Sequence, residues 1–210
     1  GTSYFSDPSR GNLGTRVGYA NDLNGYNIPA IRTAMLQLTP GGQARILLPS
    51  YLAFGRNGFE SINVPSNEII DLVITTMPEK SQSALDERLI TAFISKNSIT
   101  GLTRHSSGIY YSINTPDTSK IVFNGGSTIK AKYNGRYLDG VSFDSSTEGL
   151  DFSLQGVVPA WTKIVPLAKV GSKVRMLVPS VEAYGTAGKN GIPPNAVLDF
   201  DVEVVGVVSQ

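Results

Sequence analysis

The sequence predicts an α+β protein of two related units. Each is a curved antiparallel sheet wrapped on one short helix; the first is incomplete, and a linker helix joins them. Three observations lead there. Residues 159–205 repeat residues 29–77. Leu198, Phe200, Val202 and Val204 alternate with Asp199, Asp201 and Glu203, the pattern of a half-buried strand. Between the copies, Leu85, Leu89, Ala92 and Phe93 fall on one face of a 3.6-residue helix.

The repeat is read directly from the letters. PAWTKIVPLAKVGSKVRMLVPS in the second copy answers PAIRTAMLQLTPGGQARILLPS in the first. Trp161 aligns with Ile31 and Tyr184 with Phe54, both at an offset of 161 − 31 = 130. Ile192 aligns with Val64 at 192 − 64 = 128, because the first copy carries two extra residues after Gly55. A period this long means tandem domains rather than a solenoid. Where the second copy has Trp161, Tyr184 and Phe200, the first has Ile31, Phe54 and Leu72, a unit that keeps its packing and loses its polar and aromatic site.

Taken in order, residues 1–28 are rich in Gly, Asn, Ser and Asp and read as loop, with a short strand near Val17–Ala20. The first unit spans 1–78. The polar, Pro-containing stretch Met77–Ser81 marks its end, and the linker helix occupies 79–98, its first turn capped by Ser83 with Asp86 and Glu87. The second unit runs over 99–210. Its strands are expected at Ile109–Ile113, Ile129–Tyr133, Val174–Val178 and Leu198–Val204. Trp161, Ile164, Val165 and Ala168 give its short helix, distorted late by Pro166. Only 28 residues precede the shared Pro-Ala step of the first copy, so the strands that carry Tyr133, Phe143 and Asp144 in the second copy are expected to be missing, shortened or rebuilt there.

Composition removes whole classes of chemistry. A formal charge of +1 offers no field for nucleic acid or an anionic membrane. Cysteine is absent, which excludes disulfides, thiolate metal sites and a Cys nucleophile. The single histidine, His105, lies in a polar stretch, reads as a solvated loop residue, and leaves no His-based metal cluster or Ser-His-Asp triad. No metal and no cofactor is implied, and no apolar run is long enough for a transmembrane segment.

Five segments then stand in order: KYNGRYLDGVSFDSS (132–146), VVPAW (157–161), KVGSKVRMLVPS (169–180), EAYG (182–185) and IPPNAVLDFDVEV (192–204). Together they resemble the FKBP-type peptidyl-prolyl cis/trans isomerases across roughly residues 106–207. The resemblance implies a half-barrel curled over the short helix with an apolar pocket between them. It implies Tyr133, Phe143, Asp144, Val158, Trp161, Tyr184 and Phe200 as the catalytic set, with Trp161 as the floor, and Leu150, Val157 and Ile192 as further substrate contacts. The Val158 N–H and the Tyr184 hydroxyl are the implied donors to substrate carbonyls. At Leu150 the family commonly carries an aromatic residue. The implied partners are proline-containing polypeptides and rapamycin-type macrolides; the implied location is the bacterial envelope, periplasmic or lipid-anchored.

Each residue also has a plainer reading. Trp161 on an amphipathic helix fits a core, Tyr184 can brace its Gly-flanked loop, Asp144 can cap a turn with Ser145 and Ser146, and Gly185–Asn195 is a simple loop or a flap over the pocket. In the first unit the packing reading of Ile31 and Phe54 prevails. Two functions remain open: an isomerase acting on X-Pro bonds, and a non-catalytic peptide-binding or holdase module using the same groove.

Overall fold

The computed structural model describes residues 10–12, 22–23, 26–116, 120–189 and 191–209. The strand expected near Val17–Ala20 lies outside them. The described residues form two compact units, one ending at Lys80 and one holding residues 10–12 together with everything from Ser81 onward.

In the first unit a two-residue pairing of β1 (Asp22–Leu23) with β2 (Tyr26–Asn27) leads into α1 (Pro29–Met35). Pro29 opens the helix, where its missing N–H would have had no acceptor anyway. β3 (Gln43–Leu48) and β4 (Ile70–Thr75) pair antiparallel from Gln43↔Thr75 to Leu48↔Ile70. The period of two puts Ile46, Leu48, Ile70, Leu72 and Ile74 on one face, which packs with Ile28, Ile31 and Met35. Phe54 is 3% exposed and stacks on Phe59 at 5.3 Å, so Ile31 and Phe54 are core. No third strand flanks this pair among the described residues. The opposite side leaves Leu47 and Val73 exposed.

In the second unit α2 (Gln82–Lys96) precedes a six-stranded antiparallel sheet. Its strands are β5 (Thr103–Arg104), β6 (Tyr110–Asn114), β7 (Thr128–Tyr137), β8 (Ser142–Ser153), β9 (Lys173–Val178) and β10 (Leu198–Ser209), in the order β5-β6-β9-β10-β7-β8. α3 (Pro159–Ile164) enters between β8 and β9. Cross-strand register puts Val174, Met176, Val178, Leu198, Phe200, Val202, Val204, Ala131 and Tyr133 on the face that covers α3. Pro166 distorts nothing inside α3, because the helix ends at Ile164 and a 3-10 turn, Val165–Leu167, takes over.

The other face of the sheet receives α2, and here two expectations change. The helix cap is Ser81, whose hydroxyl accepts from the Ala84 N–H at 3.2 Å, not Ser83. The buried residues of the helix are Leu85, Asp86 and Ile90; Ile90, with Leu89, Phe93 and Ile94 beside it, packs with Leu177, Val197 and Tyr110, and Ala92 is exposed. Ile90, fully buried with Leu177 and Val197, is the centre of this contact, which the spacing of Leu85, Leu89, Ala92 and Phe93 did not reveal.

Residues 10–12 belong to the second unit as well. Arg10 Nε donates to Asp139 Oδ2 at 2.7 Å and its guanidinium lies 4.7 Å from the Tyr137 ring centre. The Asn12 N–H donates to the Pro194 carbonyl and the Asn195 amide donates to the Asn12 carbonyl, both at 3.0 Å. A Cβ on Gly11 would lie 2.3 Å from the Pro194 oxygen, so only glycine fits.

Candidate active site

α3 places Trp161 under the concave face, 4% exposed. Three rings stand against it at steep angles: Phe152 at 5.2 Å, Tyr133 at 5.7 Å and Phe200 at 5.9 Å. Edge-to-face contacts set the positive ring edge against the negative face. Phe143 extends the cluster through Phe200 at 5.7 Å. This approach requires Gly135 opposite, where a Cβ would sit 2.6 Å from Phe143 and 2.8 Å from Phe200. Val157 and Val158 pack on the same cluster, as does Tyr184; Ile192 is buried in it.

The polar atoms are few. The Tyr133 hydroxyl donates to Asp144 Oδ2 at 2.7 Å. Burial, and then the Asp144 carboxylate, push the Tyr133 hydroxyl far above the usual phenol range, so it stays a donor. Burial and the same carboxylate also raise Tyr184. Among the described residues the Tyr184 hydroxyl and the Val158 N–H have no hydrogen-bond partner. The Trp161 indole N–H is buried and likewise has none. Three donors without acceptors around an aromatic floor are groups whose hydrogen bonds await a ligand. The flap from Gly185 to Asn195 is held by the Tyr137 hydroxyl on the Gly191 carbonyl at 2.6 Å, by the Asn195 N–H on the Gly185 carbonyl at 2.8 Å and by residues 10–12.

Nine of the ten residues singled out from the sequence converge here. Leu150 does not: it is 51% exposed and outside the cluster. Its neighbour on the same face of β8, Phe152, supplies the aromatic wall. Alternation two residues along the strand is the signal that points to it. A second depression, about 480 Å³ on the opposite face, is lined by Lys132, Lys173, Arg175, Asp201 and Glu203. Those charges are cross-strand neighbours of opposite sign, Lys132↔Glu203↔Lys173 and Asp201↔Arg175, which accounts for them as sheet pairing. Among the described residues no group of three or more His, Cys, Asp or Glu is placed to hold a metal ion. No helix among them is long and apolar enough to cross a membrane.

Residues 120–205 match the family model described as FKBP-type peptidyl-prolyl cis-trans isomerase. The second unit is similar to that family over these residues. This FKBP-type domain is 45% identical over 83 residues to the FKBP-type peptidyl-prolyl cis-trans isomerase FkpA of Escherichia coli K12, a match covering 38% of this chain and 31% of that protein. The crystal structure of FkpA from Escherichia coli superposes with a TM-score of 0.53 at 33% identity, covering 60% of this chain and 61% of that one. A peptidyl-prolyl cis-trans isomerase from Pseudomonas syringae pv. tomato superposes with a TM-score of 0.52 at 28% identity, covering 63% of this chain and 99% of that one. The chain spans less than half the length of the curated relatives it matches.

Proposed function

We propose that the FKBP-type domain catalyses cis/trans isomerisation of X-Pro peptide bonds, without a covalent intermediate, and so assists protein folding. The observation that carries this is the Trp161 floor ringed by Tyr133, Phe152 and Phe200, with the Tyr184 hydroxyl and the Val158 N–H free beside it. Rotation about a peptide bond faces a barrier of about 18–20 kcal/mol, because resonance gives the bond double-bond character. The X-Pro isomers differ by only about 0.5–1 kcal/mol, so both are populated while exchange takes tens of seconds or more. The catalyst therefore has to favour the twisted amide over the planar one. The planar amide is the more dipolar, and an apolar aromatic pocket solvates it poorly. The Tyr184 hydroxyl and Val158 N–H hold the flanking carbonyls as the bond turns. A barrier lowered by ~6 kcal/mol gives about four decades of rate.

Proline-containing polypeptides are the substrates on this reading, and rapamycin-type macrolides are competitive ligands of the same pocket. The first unit is a reduced tandem copy without a site, and the bacterial envelope is the proposed location. The test is an X-Pro isomerisation assay on the full chain with and without such a macrolide. Loss of the slow uncatalysed phase supports the reading; no acceleration by folded protein overturns it.

A second reading, a holdase, is favoured by one observation. In the first unit Leu36, Leu47, Tyr51, Leu52, Ile69 and Val73 are all at least half exposed, apolar surface of the kind a holdase uses. Suppression of aggregation of an unfolded client that survives Trp161→Ala would support it.

A further inference from the structure

Asp86 is a carboxylate with no exposure, and nothing in the isomerase mechanism uses it. It lies on α2, where the helix meets the sheet through Ile90, Leu177 and Val197. Its Oδ2 accepts from the Ser180 N–H at 2.8 Å and from the Ser180 hydroxyl at 2.7 Å. Its Oδ1 accepts from the Gln82 amide at 2.6 Å. No cation faces it among these partners. A buried charge held by neutral donors is expensive, and an apolar side chain would suit a helix–sheet seam better. Packing alone therefore gives no reason for an aspartate here.

Ser180 opens the 3-10 turn Ser180–Glu182, which leads through Ala183 to Tyr184. The same turn is tied a second time: Lys163 of α3, two residues beyond Trp161, donates to both oxygens of Glu182 at 2.7 Å. The first unit supplies the comparison. Its Pro49–Phe54 segment repeats the turn, and Ala53 has φ −118° and ψ −111° against −117° and −114° at Ala183. Yet no carboxylate bonds Ser50 among the described residues, and Thr33 and Leu52 stand where Lys163 and Glu182 would. The shape of the turn is thus a property of its own sequence. What the second unit adds is attachment, and it adds attachment where Phe54 is replaced by a tyrosine whose hydroxyl nothing holds among the described residues.

We propose that Asp86 is a positioning residue for Tyr184: through Ser180 it fixes to α2 the segment that carries the pocket's free hydroxyl. The inference rests on the isomerase reading above. It makes α2 a part of the working domain and not a spacer before it. A donor displaced by about 1 Å forfeits most of what it contributes to the rate, and a tether of two hydrogen bonds at Ser180, at the base of the segment that ends in Tyr184, controls displacements of that size.

The test uses the full chain and a prolyl peptide substrate. Asp86→Ala, Asp86→Asn and Ser180→Ala are each made with Tyr184 intact and with Tyr184→Phe. Asp86→Ala is expected to lower kcat about tenfold with KM changed less than about twofold, and Asp86→Asn, which keeps an acceptor oxygen, to recover part of it. In the Tyr184→Phe background the same change is expected to cost less than about twofold, because the hydroxyl it positions is gone. An equal loss in both backgrounds, or no loss of kcat in folded Asp86→Ala, overturns the proposal. If Asp86→Ala does not fold, Ser180→Ala carries the same comparison, since it removes one bond and keeps the backbone one. Trp161 is the chain's single tryptophan, so its emission reports prolyl-peptide binding at the pocket independently of turnover. If the wild type is inactive, the isomerase reading falls. The positioning inference then stands or falls on whether Asp86→Ala weakens that binding with Tyr184 present and leaves it unchanged in Tyr184→Phe.

Discussion

The ring of Phe152 stands 5.2 Å from that of Trp161, inclined by 62°, and 5.4 Å from that of Tyr133. It closes the side of the pocket that the family pattern assigns to the position of Leu150. Phe152→Ala is therefore expected to reduce kcat/KM by at least tenfold and to lower stability by about 3–5 kcal/mol for a well-packed aromatic ring. Leu150→Ala, at a half-exposed site, is expected to change stability by no more than about 0.5 kcal/mol. Comparable effects from the two substitutions would return the wall to Leu150.

Trp161 and Tyr184 separate packing from chemistry. Trp161→Ala removes the floor and is expected to abolish most activity while costing about 3–5 kcal/mol of stability. Tyr184→Phe deletes only a hydroxyl without a partner in the described structure, so the melting temperature should hold. The rate should fall about three- to tenfold, the worth of one hydrogen bond made in the transition state. A drop in melting temperature with full activity would make Tyr184 a brace of its loop.

These contrasts also mark what the letters reveal. The concave face of the second unit was legible because alternation such as Leu198–Val204 and the repeated Pro-Ala and Ala-aromatic-Gly steps are local. The packing of the first unit was legible from the repeat, since Ile31 and Phe54 keep apolar side chains where the second copy has Trp161 and Tyr184. The Asp86–Ser180 bond was not, since its partners are 94 residues apart and a helix aspartate near an N-terminus reads as dipole chemistry. Nor was the docking of residues 10–12: a Gly-Asn stretch reads as loop, and the reason for Gly11 is the Pro194 oxygen, 183 residues further on, as its neighbour bond from Asn195 to Asn12 shows. Phe152 was missed because it lies on β8, Ser142–Ser153, whose polar sequence does not read as a strand, two residues beyond the aligned Leu150.

Gly135 tests how tightly the aromatic cluster is assembled. A methyl group there meets Phe143 at 2.6 Å and Phe200 at 2.8 Å, closer than real side chains approach. Gly135→Ala is expected to push both rings, to cost about 1–3 kcal/mol, and to perturb Trp161 emission. An unchanged melting curve and spectrum would mean that the rings have room that the distances deny.

Asp86 carries a pH signature. Burial raises its pKa above that of an exposed aspartate, only partly offset by the bonds from Ser180 and Gln82. The folded state thus binds this proton more tightly than the unfolded state, so stability from this group is greatest below the unfolded value of about 3.9 and is lost as pH rises through the raised folded value. Glu87, whose pairing with Arg104 lowers its pKa, acts with the opposite sign, so wild type alone does not isolate the effect. Asp86→Asn cannot ionise. The stability advantage of wild type over Asp86→Asn should therefore narrow as pH is raised above 4. Melting temperatures of the two proteins across that range decide it, and an advantage that widens would show the group ionised at a lowered pKa.

Removal of residues 1–80 separates the pocket from the segment laid on its flap. The Arg10–Asp139 pair is partly exposed and worth about 0–1 kcal/mol, the Asn12 contacts about 0.5–1.5 kcal/mol each, and the Arg10–Tyr137 stacking about 0.5–1 kcal/mol. A chain beginning at Ser81 keeps the Tyr137–Gly191 and Asn195–Gly185 bonds that hold the flap from within, and it keeps α2 with Asp86. It is expected to fold cooperatively, to melt a few degrees lower, and to retain the isomerisation rate within about twofold. Backbone amides of residues 191–197 should exchange faster while those of β9 and β10 do not, because the flap has lost its bonds to Asn12. A folded Ser81–Gln210 protein that is tenfold slower than the full chain would mean that residues 10–12 or the first unit shape the pocket itself, and the assignment of all activity to the second unit would be wrong.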